Sequence, residues 1–424
     1  MFFARQFFPF FNTLFLGAFN DNLFRNALVV MITYQMGYAP GKASALSFLA
    51  MALLMLPQFP FSAMAGAAAD KIPQAKLFRL IKFAEIVLMV LTLAAFYFRS
   101  ISLLLILLFL MGTQSAFFSP LKYAYVPRNL PDDLVRGNAY VSAGTYLAIL
   151  SGTIGGNLMI TLDNGAVLTG AALVIFAVAG YFAARSVPQK AAPDADLKIN
   201  WNCFTGTAAI LKTVFCDFTM RHCVLGLSIF WMAGALYVSQ LAGFCKEIIG
   251  ADPKLVMAFT LLFSVGVAIG SCLCSLVRKR WNVLRLVAPA LILMGIFTLD
   301  LYFASHSWER LGAGEGEQLS PVSDLIRVPA FWRFAGDLLA LAACGGFYSV
   351  PLIALLQKTA PQNEIARAVA ANNIVNAAMI GLGTICSAVL MGAGVLSVEG
   401  IFLLIGCVNF ASALYLLPIR NKKI

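Results

Sequence analysis

Phe117-Phe-Ser-Pro-Leu-Lys122 closes a long apolar run, and the second half of the chain carries a counterpart, Phe347-Tyr-Ser-Val-Pro-Leu352, shifted by one residue. The first copy is followed by Pro131, Arg136 and an apolar run carrying Asn138. The second is followed by Pro361, Arg367 and a run carrying Asn372 and Asn373. In each copy a proline lacking an N–H interrupts an apolar segment near its end, and cations follow within a few turns. One half of the chain therefore repeats the other. Parallel internal repeats of this kind place a substrate path between two similar bundles, near the middle of a membrane.

Composition supports the same architecture. Of 424 residues, 61% are hydrophobic and only 12% charged, with a mean hydropathy of +0.85. Soluble domains run at roughly 45–50% apolar and about 25% charged. A membrane-spanning helix needs about 20 apolar residues, so about twelve spans fit with chain to spare. Cutting at charged, Pro-rich or Gly-rich interruptions gives apolar segments at 7–36, 43–69, 77–98, 101–127, 138–161, 165–186, 223–248, 254–277, 282–304, 329–357, 365–392 and 396–418. The expected fold is an all-α integral membrane protein with 12 transmembrane helices in two pseudo-symmetric six-helix bundles. A water-soluble enzyme, a one-span anchored domain and a disordered chain are excluded. The first apolar run is too long for a cleavable leader.

Thirty Lys and Arg outnumber 19 Asp and Glu, for a formal net charge of +11. The cations fall in short loops, where they act as orientation signals rather than as a nucleic-acid surface. Lys71, Lys76, Arg79, Lys82, Lys122, Arg128, Arg136, Arg185, Lys190, Lys198, Arg278, Lys279, Arg280, Arg285, Lys358, Arg367, Arg420, Lys422 and Lys423 fall to one side. Lys42 and Arg99 fall to the other, where Arg310 and Arg327 are offset by Glu309, Glu315, Glu317 and Asp324. An even number of spans puts both termini on the cation-rich side, expected to be cytoplasmic. The connection at 188–221, with Pro188 and Pro193, divides an N-terminal bundle (1–187) from a C-terminal one (222–424). Its stretch from Trp201 to Phe218 is a candidate surface-lying amphipathic helix.

Charged groups inside apolar spans are expensive, at roughly 2.5–3.5 kcal/mol each on insertion scales, and so point to function. The first span contains Gly17-Ala-Phe-Asn-Asp-Asn-Leu-Phe-Arg-Asn-Ala27. Asp21 and Arg25, four apart, share a helix face and can neutralise each other. Asn20, Asn22 and Asn26 surround them. The group reads either as a structural ion pair or as the polar wall of a transport cavity. Lys122 either snorkels to the interface or faces inward to hold an anionic phosphate. Lys82 and Glu85 form an i,i+3 pair of structural type. In the second half Trp231, Tyr237 and Gln240 mark a face of the seventh span, and Asn372, Asn373 and Asn376 require a cavity or partner helix. Arg333 and Asp337 form either a gate or a local ion pair. This half is otherwise poor in buried charge, which suits an amphiphile with a charged head and an acyl tail. Gly152 with Gly156, and Gly266 with Gly270, are Gly-x-x-x-Gly pairs that permit close helix approach.

Enzyme motifs are absent. No phosphate-binding Gly-rich loop with Lys occurs, His222 and His306 lack acidic neighbours at metal or acyltransferase spacing, and no cofactor or metal is expected. Nine cysteines lie mostly in apolar segments, among them Cys223, Cys344, Cys386 and Cys407. Cys272 and Cys274 read as small buried hydrophobes.

The connection after the second span, Gly66-Ala-Ala-Ala-Asp70-Lys71-Ile-Pro-Gln-Ala-Lys76, is similar to the loop of major facilitator transporters at Gly66, Asp70 and Lys71, with Pro73 in place of a glycine. Its implied role is a charge latch in which Asp70 meets a cation or a helix terminus. Phe15–Asn22, Ser119-Pro-Leu-Lys-Tyr123 and Gly345-Gly-Phe-Tyr-Ser-Val-Pro-Leu352 together resemble the bacterial lysophospholipid transporter family (LplT-type) of the major facilitator superfamily. The resemblance implies movement of lysophosphatidylethanolamine and related lysolipids across the bacterial inner membrane, with Asp21, Asn22 and Lys122 at motif positions. Reacylation would fall to a separate acyltransferase/acyl-acyl carrier protein synthetase, since no such domain is present. The alternatives are a proton-coupled exporter of drugs or small metabolites using Asp21 as proton carrier, and a non-transporting scaffold.

Overall fold

The computed structural model describes residues 6–38, 40–200, 202–278, 280–308 and 320–422, which are helical apart from connections and one isolated bridge between Ala251 and Ser320. The acidic stretch at 309–319, with Glu309, Arg310, Glu315 and Glu317, lies outside the described residues, as do Trp201, Lys279 and Lys423. The first part of the chain forms α1 (Phe8–Val30), α2 (Pro40–Met55), α3 (Gln58–Lys71), α4 (Gln74–Tyr97), α5 (Ile101–Asn129), α6 (Leu134–Ile160) and α7 (Gly165–Arg185). The short α8 (Cys203–Cys216) follows. Beyond it come α9 (Phe218–Gly243), α10 (Pro253–Val277), α11 (Val287–His306), the one-turn α12 (Val322–Leu325), α13 (Phe331–Thr359), α14 (Ile365–Gly392) and α15 (Val398–Leu416).

Among the described residues, eleven helices are long and apolar enough to cross a membrane. α1 has the length, but its Asn, Asp and Arg cluster keeps it out of that set, and it supplies the twelfth segment. The helices are apolar on every side: α7 buries Thr169, Leu173 and Ala177 yet leaves Leu168, Ile175 and Phe182 exposed. Such an outer face would drive association in water and is at rest in lipid. Cys274 is buried, but Cys272 is exposed two residues away, so the reading of both as buried holds for one only.

Two boundaries differ from expectation. The second span is broken between Met55 and Gln58, because Pro57 cannot donate to the preceding turn and crowds its carbonyl. The first ends at Val30 and widens into a π turn over Met31–Gln35. Pro120 and Pro127 do not end α5, which continues to Asn129. Side chains start several helices: Asp252 accepts from the Lys254 amide at 3.0 Å to begin α10, and Ser397 accepts from Gly400 at 3.1 Å to begin α15. The expected amphipathic stretch forms α8, opened by Asn202, whose Oδ1 accepts from the amides of Phe204 and Thr205. α8 packs on α3 and leaves Phe204 exposed.

By contact the residues fall into two compact units. One comprises Met1–Leu134, Gly144–Asp217 and Gln357–Ile374; the other comprises Val135–Ala143, Phe218–Leu356 and Val375–Ile424. The core of the first gathers Leu23, Phe24, Leu28 and Met31 of α1 around Leu104, Leu108 and Met111 of α5, with Phe96 and Leu173. In it, α6 lies on α1 at Gly152 and Gly156, where an added Cβ would come within 2.4 Å of Phe19 O and 2.5 Å of Leu23 O. In the second, Gly266 and Gly270 bring α10 onto α13, and Phe244 packs against Phe334 and Phe402.

Candidate functional site

The polar motif of α1 divides between two directions, because successive residues on a helix are turned by roughly 100°. Asn20 is fully buried and faces α4 and α7: its Nδ2 donates to Glu85 Oε1 at 3.2 Å and to Leu173 O at 3.0 Å. It therefore ties three helices together rather than walling a cavity. Asp21 faces α5, where the Ser115 hydroxyl donates to its Oδ2 at 2.5 Å. Among the described residues Asp21 and Arg25 make no ion pair within 4 Å, although Asp21 still acts on Arg25 electrostatically. Long helical side chains lean back toward the N-terminus, and Arg25 does so onto Asn22, Nη2 donating to Asn22 Oδ1 at 2.8 Å. Asn26 bridges to Thr153 of α6 at 3.1 Å.

α5 supplies the facing wall. Ser115, Ser119 and Lys122 recur at i, i+4 and i+7, one stripe of the helix. Ser115 holds Asp21, and Ser119 accepts a hydrogen bond from Asn373 Nδ2 of α14 at 2.9 Å. Lys122 places Nζ 4.9 Å from the centre of the Tyr123 ring, and among the described residues it has no ion pair. Asp21 is an electrostatic neighbour of both Arg25 and Lys122. Two span-embedded cations thus stand near one carboxylate that already accepts a hydrogen bond from a hydroxyl. This stripe was readable in the spacing of Ser115, Ser119 and Lys122 before any coordinates, yet only Lys122 carried a charge to draw attention.

Behind it lies a second polar group. Lys82 and Glu85 are paired at 2.6 Å, both buried, and Glu85 Oε2 also accepts from Gln114 at 3.1 Å. With the bond from Asn20, the carboxylate collects three donors.

The second-half candidates are dispersed. Tyr237 is buried in its unit, its hydroxyl 2.5 Å from Thr298 Oγ1 of α11, with Phe263 and Phe402 beside the ring. Trp231 packs on Phe230, and Gln240 donates to Ser239. At roughly 100° per residue Tyr237 and Gln240 are i,i+3 neighbours, whereas Trp231 is turned by roughly 120° or more from both, so the three do not form one face. Asn376 accepts from Ser228 at 2.7 Å, while buried Asn372 leaves Oδ1 without a partner among the described residues. Arg333 does not pair with Asp337. It pairs with Asp300 of α11, Nε donating to Oδ2 at 2.8 Å and Nη2 to Oδ1. Asp337 is buried with Oδ2 unbonded. Asp300 sits in an apolar run and its desolvation cost was the signal that could have found it.

Asp70 lies at the end of α3 rather than in a connection, and it is fully buried. Oδ1 accepts from Arg128 Nη2 at 2.7 Å and from the Ala366 amide at 3.2 Å. Oδ2 accepts from the Arg367 amide at 3.2 Å and from Arg367 Nε at 3.1 Å. The carboxylate thus caps the first turn of α14 and meets two guanidinium groups. Gly66, one turn earlier, allows this approach: an added Cβ would lie 2.8 Å from Ala370 Cβ. Lys71 takes no part in these bonds. Asp194 joins from the linker, its amide donating to Asp70 O at 3.0 Å and Oδ2 lying 3.5 Å from Arg367 Nη2. Arg128 had entered the sequence reading only as a loop cation, and Arg367 as a loop cation and a member of the repeated motif.

Among the described residues no cluster of His, Cys, Asp or Glu could hold a metal ion. The family model described as Major Facilitator Superfamily matches residues 10–383. The chain is similar to the lysophospholipid transporter LplT of Photorhabdus laumondii, at 26% identity over 62% of this chain and 61% of that protein. It is similar to the one of Escherichia fergusonii at 28% identity over 67% and 66%. The matches thus span less than two thirds of those relatives' length. Among solved structures, FucP in the outward conformation superposes with a TM-score of 0.71 at 13% identity, covering 98% of both chains. A bacterial homologue of the iron transporter ferroportin, in an outward-facing state, superposes at 0.66 and 14% identity, covering 97% of this chain and 98% of that one. At those identities the likeness concerns the fold alone.

Proposed function

The chain belongs to the Major Facilitator Superfamily, and on that premise we propose that this secondary transporter moves lysophospholipid, lysophosphatidylethanolamine and its relatives, across the bacterial inner membrane. The halves at 1–187 and 222–424 would rock about the substrate, with both termini in the cytoplasm. The observation that carries this reading is the pair of span-embedded cations, Arg25 and Lys122, neither in an ion pair among the described residues. Two span-embedded cations share the single neighbouring carboxylate of Asp21, and a phosphate head group would supply the second negative charge. Asp21, which accepts a hydrogen bond from Ser115, would meet the ammonium of the head group. Asn22 orients Arg25, and Asn373 sets the Ser119 end of the stripe. The names of the curated relatives support the same substrate class, and reacylation inside would fall to a separate acyltransferase. The polar lining lowers the barrier because the head exchanges water for fixed partners while one tail stays among Phe and Leu side chains.

The test is uptake of labelled lysophosphatidylethanolamine into proteoliposomes, beside a diacyl phospholipid and a hydrophobic drug, with and without a proton gradient. Lysolipid is expected to be taken up and the diacyl lipid refused. Asp21→Asn and Lys122→Ala should each slow uptake by about tenfold or more, the rate change that about 1.4 kcal/mol produces. Drug uptake with steep pH dependence and no lysolipid uptake would overturn the assignment.

A further inference from the structure

A separate cavity of about 380 Å³ lies in the first compact unit, between the start of α4, the end of α5, the linker and the turn before α14. Its lining includes Gln74, Arg128, Asn129, Lys190 and Asn363, with Tyr125 and Pro188. Two cations line it and no carboxylate does. Three of its residues also carry buried polar atoms with no hydrogen-bond partner: Gln74 Nε2, Arg128 Nε and Asn129 Oδ1. Gln74 and Asn129 are only 8% and 7% exposed, so bulk water does not easily satisfy them. Unpaired buried groups are uncommon in folded chains, and three around one cavity call for a shared explanation. One water occupies about 30 Å³, far less than this space, which falls in the range of about 300–1,000 Å³ typical of small-molecule sites.

We propose that this cavity is a binding site for a small organic phosphate. The unpaired donors of Gln74 and Arg128, which a small side-chain shift would turn onto the cavity, suit phosphate oxygens together with Lys190 at the rim. Asn129 Oδ1 suits a hydroxyl or ammonium donor on the attached alcohol. Lys190 is already positioned, its Nζ donating to Arg128 O at 2.9 Å. The same guanidinium binds Asp70 through Nη2, so a ligand on its Nε steadies the arginine that holds the end of α3. This site shares no residue with the Asp21 and Lys122 stripe and stands whether or not lysolipid is the transported substrate.

The experiment is calorimetric titration of glycerol 3-phosphate into the full chain in phosphatidylcholine nanodiscs, repeated in discs containing phosphatidylglycerol. Saturable binding is expected in the first discs. Gln74→Met and Lys190→Ala should each weaken it roughly tenfold, the scale of one charge-assisted hydrogen bond. Removing an unpaired buried amide is neutral or stabilising, so Gln74→Met should melt no lower than the parent, and lost binding then reports the site rather than misfolding. If the phosphate comes from a lipid head group, phosphatidylglycerol in the disc weakens the titration in the parent protein. If it comes from a soluble ester, the two discs agree. Absence of saturable binding in phosphatidylcholine discs, or unchanged binding in both variants, overturns the proposal.

Discussion

Asp70 holds Arg367 twice, through its backbone amide at 3.2 Å and its side-chain Nε at 3.1 Å, while Arg128 occupies the other carboxylate oxygen at 2.7 Å. The carboxylate has no exposed surface. Removing one partner of such a group leaves uncompensated buried charge, which costs about 3–5 kcal/mol. Asp70→Ala is therefore expected to lower the thermal unfolding midpoint strongly in detergent. Asp70→Asn keeps one acceptor and should recover part of the loss. Combined with Arg367→Ala, Asp70→Ala should show coupling of about 0.5–3 kcal/mol in a double-mutant cycle, as bonded neighbours do. Additive losses would show that the bonds do not act together.

The opposite outcome is expected at Arg333. Its ion pair with Asp300 is bidentate, but the two side chains are 46% and 35% exposed. Exposed pairs contribute about 0–1 kcal/mol because water and salt screen them. Arg333→Ala should shift the unfolding midpoint far less than Asp70→Ala, and added salt should shrink the difference further. Comparing the two variants at low and high salt checks both statements.

The span pattern was legible in the sequence because it follows from apolar length, and Asp70 drew attention through the likeness of its loop to that of major facilitator transporters. The linker helix α8 was legible as an amphipathic stretch. Partners were not. Periodicity placed Asp21 and Arg25 on one face, but which groups they bond was decided by α5 and by Asn22. Tyr237 and Asn20 carry polar atoms that looked available and are spent on Thr298 and Glu85 inside the packing. Asp300 was passed over because a lone acid in an apolar run reveals no partner until α13 lies beside it.

Glycine packing gives a prediction with two signs. An added Cβ at Gly270 would stand 1.8 Å from Ala343 O, a backbone atom that cannot swing away, whereas Gly381 has nothing within 4 Å. Overpacking costs typically about 1–3 kcal/mol, and the α10–α13 contact has no room to relax. Gly270→Ala should therefore destabilise the protein. Gly381→Ala removes backbone freedom from the unfolded chain at no steric cost and should stabilise by roughly 0.5–1 kcal/mol. Unfolding midpoints of the two variants should move in opposite directions.

The buried Lys82–Glu85 pair gives an asymmetric prediction. Glu85 accepts from Lys82 at 2.6 Å, Gln114 at 3.1 Å and Asn20 at 3.2 Å, whereas the ammonium has one acceptor and the Phe118 ring 5.3 Å away. Lys82→Met leaves the carboxylate with two amide donors and fills much of the vacated volume. Glu85→Ala strands the ammonium and the Gln114 amide together, while Asn20 keeps its bond to Leu173 O, in a site where Gly17 and Gly180 offer no side chain to take its place. Breaking a buried pair costs about 3–5 kcal/mol, and the larger figure belongs to the partner whose loss orphans more groups. Glu85→Ala should thus be the more damaging of the two, and Lys82→Met introduced into it should restore stability by removing the stranded charge. Equal losses in the two single variants, or no rescue in the double, would show that the network does not centre on the carboxylate.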